Sequence, residues 1–151
     1  MSRLIVHVEG QTEENFVNSV LAPYPCDRGY ISVTARLYGN ARQHNKRGGG
    51  RHWVTVRKGI LNHLRQDQEI LVTTMADYYG LRATWPGRAR APQLDFPDRA
   101  ASIERKMLQD VSNELGGNFD RRRFVPYIVM HEYEGLLFSD PVRFGRSIAE
   151  P

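Results

Sequence analysis

Four short apolar runs, each followed by residues at helical spacing, constrain this chain more than anything else in its sequence. Leu4 to Val8 is β-branched and apolar enough for a buried strand. Gly10 breaks it, and Thr12 is placed to cap a helix running to about Leu21, with Glu13 and Glu14 favourable in its first turn. Pro23 and Pro25 end that helix, and Ile31 to Tyr38 alternates as a strand does. From His52 to about Arg65, Trp53, Val56, Ile60, Leu61 and Leu64 fall on one helical face. Glu69 to Ala76 is the third strand and ends at Asp77. Asp98 caps a helix through Leu115, which Gly116 and Gly117 terminate. Phe124 to Met130 makes a fourth strand, its Pro126 favouring an edge or a strand start, and a short helix follows at Tyr133 to Phe138. The order β-α-β-α-β-α-β-α predicts an α/β fold with a mainly parallel central sheet and helices on both faces. At 151 residues the chain suits one domain, spanning 1–151. It stops at Pro151 just after another helix begins, which leaves a domain truncated at its C-terminus as an open reading.

Between these elements lie two basic stretches. Asn40 to Arg51 is polar and places Lys46, Arg47 and Arg51 around three glycines, Gly48 to Gly50. The pattern lacks the Gly-Lys-Ser/Thr of a phosphate-binding P-loop and reads as a mobile arm or lid. Gly80 to Pro97 carries three prolines and several arginines and reads as a long functional or flexible loop, with Arg82, Arg88, Arg90 and Arg99 making up this second basic stretch. Trp85 within it could stack on a base or pack over the sheet edge. The net charge of +4 suits a polyanionic partner such as nucleic acid without requiring one. The single cysteine, Cys26, excludes an internal disulfide and a cysteine zinc cluster. No apolar run approaches the roughly 20 residues needed to span a bilayer, and the N-terminus reaches a charge too soon for a signal peptide. A cytoplasmic location with no membrane association is the expectation.

In open α/β sheets ligands sit beyond the carboxyl ends of the strands. Glu9 ends the first strand, with Glu13 one helical turn along, Asp77 ends the third, and the fourth runs into Glu132 and Glu134. Clustered carboxylates oppose one another's ionisation unless a counter-charge intervenes. Hard oxygen donors select Mg²⁺ or Mn²⁺ over zinc, and such ions suit phosphoryl chemistry.

Val8-Glu9-Gly10-Gln11-Thr12-Glu13 resembles the first motif of Toprim domains, especially those of overcoming-lysogenization-defect type nucleases. The later block, His131 through Asp140, resembles the signature of a Toprim-like family of uncharacterised domains, DUF4276. The resemblance spans nearly the whole chain. It implies a Toprim-like fold, a metal held by Glu9, Asp77, Glu132 and Glu134, and catalysis involving these with Glu13. It also implies an ATPase partner in a prokaryotic defence assembly. One departure stands out: the Toprim pattern ends a strand in Asp-x-Asp, where this chain reads Asp77-Tyr78-Tyr79. A phenol, with a pKa of about 10, does not replace a carboxylate as a hard ligand at neutral pH. Either Glu132 or Glu134 supplies the missing oxygen, or the site takes one metal, or none.

Each candidate also has a purely structural role open to it. Glu9 could accept hydrogen bonds from helix-end amides, Glu13 could simply stabilise its helix, and Asp77 could cap the following turn. The histidines, His7 and His131 included, read as packing or local hydrogen-bonding groups. The leading expectation is a metal-dependent nuclease whose Lys46, Arg47 and Arg51 neutralise phosphates. The alternative is a non-catalytic Toprim-like module that binds nucleic acid or an ATPase partner without cutting.

Overall fold

A computed structural model describes residues 2–38 and 51–131, with the single positions 135, 140, 142 and 146. Strand β1 (Arg3–Val8) lies between β2 (Ser32–Leu37) and β3 (Ile70–Asp77), and β3 pairs on its far side with the short strands β4 (Phe124–Val125) and β5 (Ile128–Val129). Every pairing is parallel. Helices α3 (Trp53–Gln66) and α4 (Phe96–Leu115) supply the crossovers to β3 and β4. The molecule is thus α/β, with a mainly parallel central sheet flanked by helices, an arrangement consistent with a Toprim-like fold.

Strand alternation sorts the side chains onto two cores. Ile5, Val72, Ala76, Phe124 and Ile128 join Val56, Ile60, Ile103, Met107 and Val111 of α3 and α4 in the larger cluster. Val6, Val8, Ala35 and Met75 point the other way and pack with Val17 beyond α1 (Gln11–Phe16). Full burial of each valine, isoleucine, methionine or phenylalanine among them contributes about 1.5–3 kcal/mol.

Several boundaries differ from expectation for local reasons. Gly10, not Thr12, occupies the N-cap of α1, and no side chain caps it. The helix widens over Val17–Leu21, where Ala22 N–H donates to the Val17 carbonyl, five residues back, at 2.8 Å. Pro23 then opens a further helical turn, α2 (Pro23–Cys26), because proline at the first helical position needs no N–H. Asp95 rather than Asp98 precedes α4, leaving Asp98 in the first turn. The fourth strand is split at Pro126, which has no N–H to donate. Threonine hydroxyls bridge the break: Thr74 Oγ1 donates to the Tyr127 carbonyl at 3.0 Å and accepts from Tyr127 N–H at 2.9 Å. The short helix expected at 133–138 lies outside the described residues.

The 80–97 stretch departs most from its reading as a flexible loop. Leu81, Trp85 and Ala91 are buried in the larger core, and successive turns close on Tyr78, Arg82, Trp85 and Arg88. Trp85 is only 2% exposed, stands 5.1 Å from the Trp53 ring, and donates its indole N–H to the Arg51 carbonyl at 2.8 Å. It packs instead of offering a face to a base.

A carboxylate cluster at the sheet's carboxyl edge

The sheet order β2-β1-β3-β4 places a switch point between β1 and β3, because the chain leaves β1 toward one neighbour and returns to the other. A crevice beyond the strand ends at such a point is where open α/β sheets bind ligands. The in-register pairing of Val8 with Met75 carries the two following segments out side by side. Glu9 leaves β1, Asp77 closes β3, and Gly80 lies against both carboxyls. A Cβ on Gly80 would stand 3.2 Å from Glu9 Oε2 and 3.6 Å from Asp77 Oδ2. Those two distances together bound the separation of the oxygens at about 7 Å. Glu13 folds back from the first turn of α1 so that its Oε2 lies 2.9 Å from where a Gly10 Cβ would be.

The electrostatics bear the clustering out. The Glu9 carboxyl titrates above its ordinary range, first because burial disfavours the charge and then because Glu13 and Asp77 repel it. The Arg51 guanidinium partly opposes that rise. Asp77 has a structural task as well: Oδ1 accepts from Tyr79 N–H at 3.1 Å and Oδ2 from Gly80 N–H at 3.2 Å. The carboxylate caps its own turn, as aspartates do, with further lone pairs left on both oxygens.

Tyr78 and Tyr79 diverge after Asp77. Tyr78 is buried, with the Arg88 guanidinium 4.3 Å above its ring, whereas Tyr79 is exposed. Neither adds a carboxylate. Among the described residues no three His, Cys, Asp or Glu side chains converge tightly enough to enclose an ion by themselves. Glu132 and Glu134, and the basic Lys46 and Arg47, lie outside the described residues. Arg51 is described, and its charge acts on Glu9.

Sequence reasoning missed Tyr38. It follows β2 at the same edge, donates its N–H to the Val8 carbonyl at 3.0 Å, and keeps its hydroxyl buried without a hydrogen-bond partner. Burial, then the Glu9 and Glu13 charges, hold that phenol well above its usual pKa. Its place as the last residue of an alternating run was the available signal.

Acids at the switch point of a parallel sheet define a class: an α/β domain that carries carboxylates at its carboxyl edge. The chain belongs to the DUF4276 family, a domain of unknown function, whose model matches residues 8–150. No curated protein and no solved structure shows significant similarity to it. Among the described residues no helix is long and apolar enough to cross a membrane.

Proposed function

We propose that the chain is a Toprim-like, Mg²⁺- or Mn²⁺-dependent nuclease of the overcoming-lysogenization-defect type, working in the cytoplasm as the effector of a prokaryotic defence or DNA-processing assembly with an ATPase partner. The observation that supports it is the approach of Glu9, Glu13 and Asp77 at the switch point, where burial first, and then repulsion by Glu13 and Asp77, raises the Glu9 pKa. Three carboxylates in that relation lack a counter-charge that one arginine only partly supplies. Their hard oxygens fit a divalent ion held by Glu9 and Asp77, with Glu13, Glu132 and Glu134 completing the site or positioning water. Such an ion would neutralise and polarise a scissile phosphate. Arg51, with Lys46 and Arg47, would hold the neighbouring phosphates.

One observation favours a second reading, a non-catalytic module that binds nucleic acid or an ATPase partner. Both Asp77 oxygens already serve backbone amides, and Tyr79 stands where the Toprim pattern has a second aspartate. Incubation of DNA and RNA substrates with Mg²⁺ or Mn²⁺ separates the two. Cleavage that Glu9→Gln abolishes supports the nuclease; binding without turnover, unchanged by that substitution, supports the module.

A further inference from the structure

His7 has no role at the acidic edge, and its surroundings are chemically different. It points from β1 toward α3, is 3% exposed, and has no hydrogen-bond partner on either ring nitrogen. A neutral imidazole keeps one N–H donor and one acceptor, and a buried donor left without a partner loses its hydration with nothing in return. The ring lines a cleft of about 510 Å³ between β2 and α3, together with Arg36, Tyr38, Lys58, Asn62 and His63. Arg36 is the in-register neighbour of His7, so both side chains leave the sheet on the same face. His63 stands 5.3 Å from His7, ring to ring. Among the described residues no aspartate or glutamate lines the cleft, and neither Arg36 nor Lys58 has an ion-pair partner. Helix α3 comes close to His7 only because residue 59 is glycine: a Cβ there would lie 3.1 Å from His7 Cε1.

Two unpaired cations, a side-chain amide and an orphaned buried imidazole around one cleft call for a ligand with several acceptor oxygens and negative charge. The volume exceeds what an inorganic anion fills and falls within the range of small-molecule sites, about 300–1,000 Å³. We propose that the β2–α3 cleft binds a phosphate monoester of nucleotide size, its phosphate held by Arg36 and Lys58 and within reach of the His7 N–H. The cleft borders the acidic edge at Tyr38, on which the Glu9 and Glu13 charges act, but none of its lining residues is among the proposed metal ligands. A free mononucleotide and the 5′-phosphate end of a strand offer the same group.

Calorimetric titration of the full chain with 5′-AMP, inorganic phosphate and adenosine tests the proposal. AMP and phosphate should bind and adenosine should not. Arg36→Ala combined with Lys58→Ala, both at exposed positions, should weaken AMP at least tenfold. His7→Phe should also weaken it severalfold while preserving the packed ring, with circular dichroism reporting an intact fold. Gly59→Ala, which touches no charge, should do likewise by displacing the imidazole. A 5′-phosphorylated trinucleotide that binds more tightly than AMP assigns the site to strand ends, and the reverse order assigns it to free nucleotides. The proposal is overturned if AMP does not bind at millimolar concentration, or if the double variant binds it as the wild type does. Equal binding of a 5′-hydroxyl trinucleotide through Arg36 and Lys58 would also overturn it, because the cleft would then read diesters.

Discussion

The carboxyls of Glu9 and Asp77 both approach Gly80, whose absent side chain would stand 3.2 Å from one and 3.6 Å from the other. Two acids from strands far apart in sequence thus share a space that a single methyl group would enter. The backbone at Gly80 has no positive φ, so alanine is conformationally tolerated there. Gly80→Ala should therefore fold with a stability change of less than about 1 kcal/mol. It should weaken Mg²⁺ or Mn²⁺ binding severalfold, as read by calorimetry, because the Glu9 carboxylate must give by a few tenths of an ångström where it faces Asp77. Unchanged metal affinity would mean that an ion does not bridge these two carboxyls.

Glu9→Gln removes the charge that Glu13 and Asp77 oppose. A carboxyl whose folded pKa is raised favours the fold below its unfolded value and disfavours it as pH rises through the folded one. At pH 7 the neutral glutamine should then leave the metal-free protein slightly more stable, by about 1–3 °C in Tm, since solvent screens much of the repulsion. Saturating Mg²⁺ should raise the wild-type Tm by mass action and leave the variant's unmoved. A metal-induced shift that survives in both Glu9→Gln and Asp77→Asn places the ion elsewhere.

His7 supplies a dependence of the opposite sense. Burial, with smaller contributions from His63 and Arg36, lowers its pKa from 6.5 to about 3. A histidine depressed in the folded state contributes stability above its unfolded pKa, and that contribution is lost as pH falls toward the folded value. The unfolding free energy from denaturant titration should therefore drop between roughly pH 6.5 and 3, by up to about 1.4 kcal/mol per pH unit. His7→Phe should flatten that limb. If it does not, acid destabilisation originates in other groups.

Legibility followed the physics of each signal. The β-α alternation, the edge strand at Pro126 and the helix of Trp53, Val56, Ile60, Leu61 and Leu64 were readable because burial imposes periodicity. Glu9 and Asp77 could be brought to one edge because each ends an apolar run, and parallel pairing does the rest. The 80–97 segment was misread because its packing has no period: turns deliver Leu81, Trp85 and Ala91 to the core one at a time. The α4 cap shifted from Asp98 to Asp95 because Pro97 is accommodated in the first helical turn. His7 looked like an ordinary core residue, and its lack of partners is a three-dimensional property that no spacing encodes.

The basic arm gives the last prediction, in which Arg51 differs from its neighbours. Phosphate contacts by Lys46, Arg47 and Arg51 would release counterions, at a slope of about −0.9 per phosphate in log affinity against log salt on duplex DNA. Replacing all three with alanine should weaken nucleic-acid binding uniformly across sequences and flatten that slope by roughly 2 to 3 units. Arg51 also sits near enough to Glu9 to favour its ionised form. The same positive charge repels an incoming cation, so its removal should strengthen Mg²⁺ binding once the pH exceeds the Glu9 pKa. The Arg51 backbone stays anchored, because Trp85 bonds to its carbonyl and not to its side chain. Arg51→Ala alone should therefore weaken DNA and tighten Mg²⁺, whereas the Lys46→Ala, Arg47→Ala pair should weaken DNA and leave Mg²⁺ unchanged. Salt-dependent fluorescence anisotropy and metal calorimetry on the two variants measure both effects. If the triple variant keeps wild-type affinity and slope, the arm does not contact phosphates, and the role would pass to the arginines of the 82–99 segment. If Arg51→Ala weakens Mg²⁺ as much as Glu9→Gln does, Arg51 organises the acidic edge and is not merely a charge beside it.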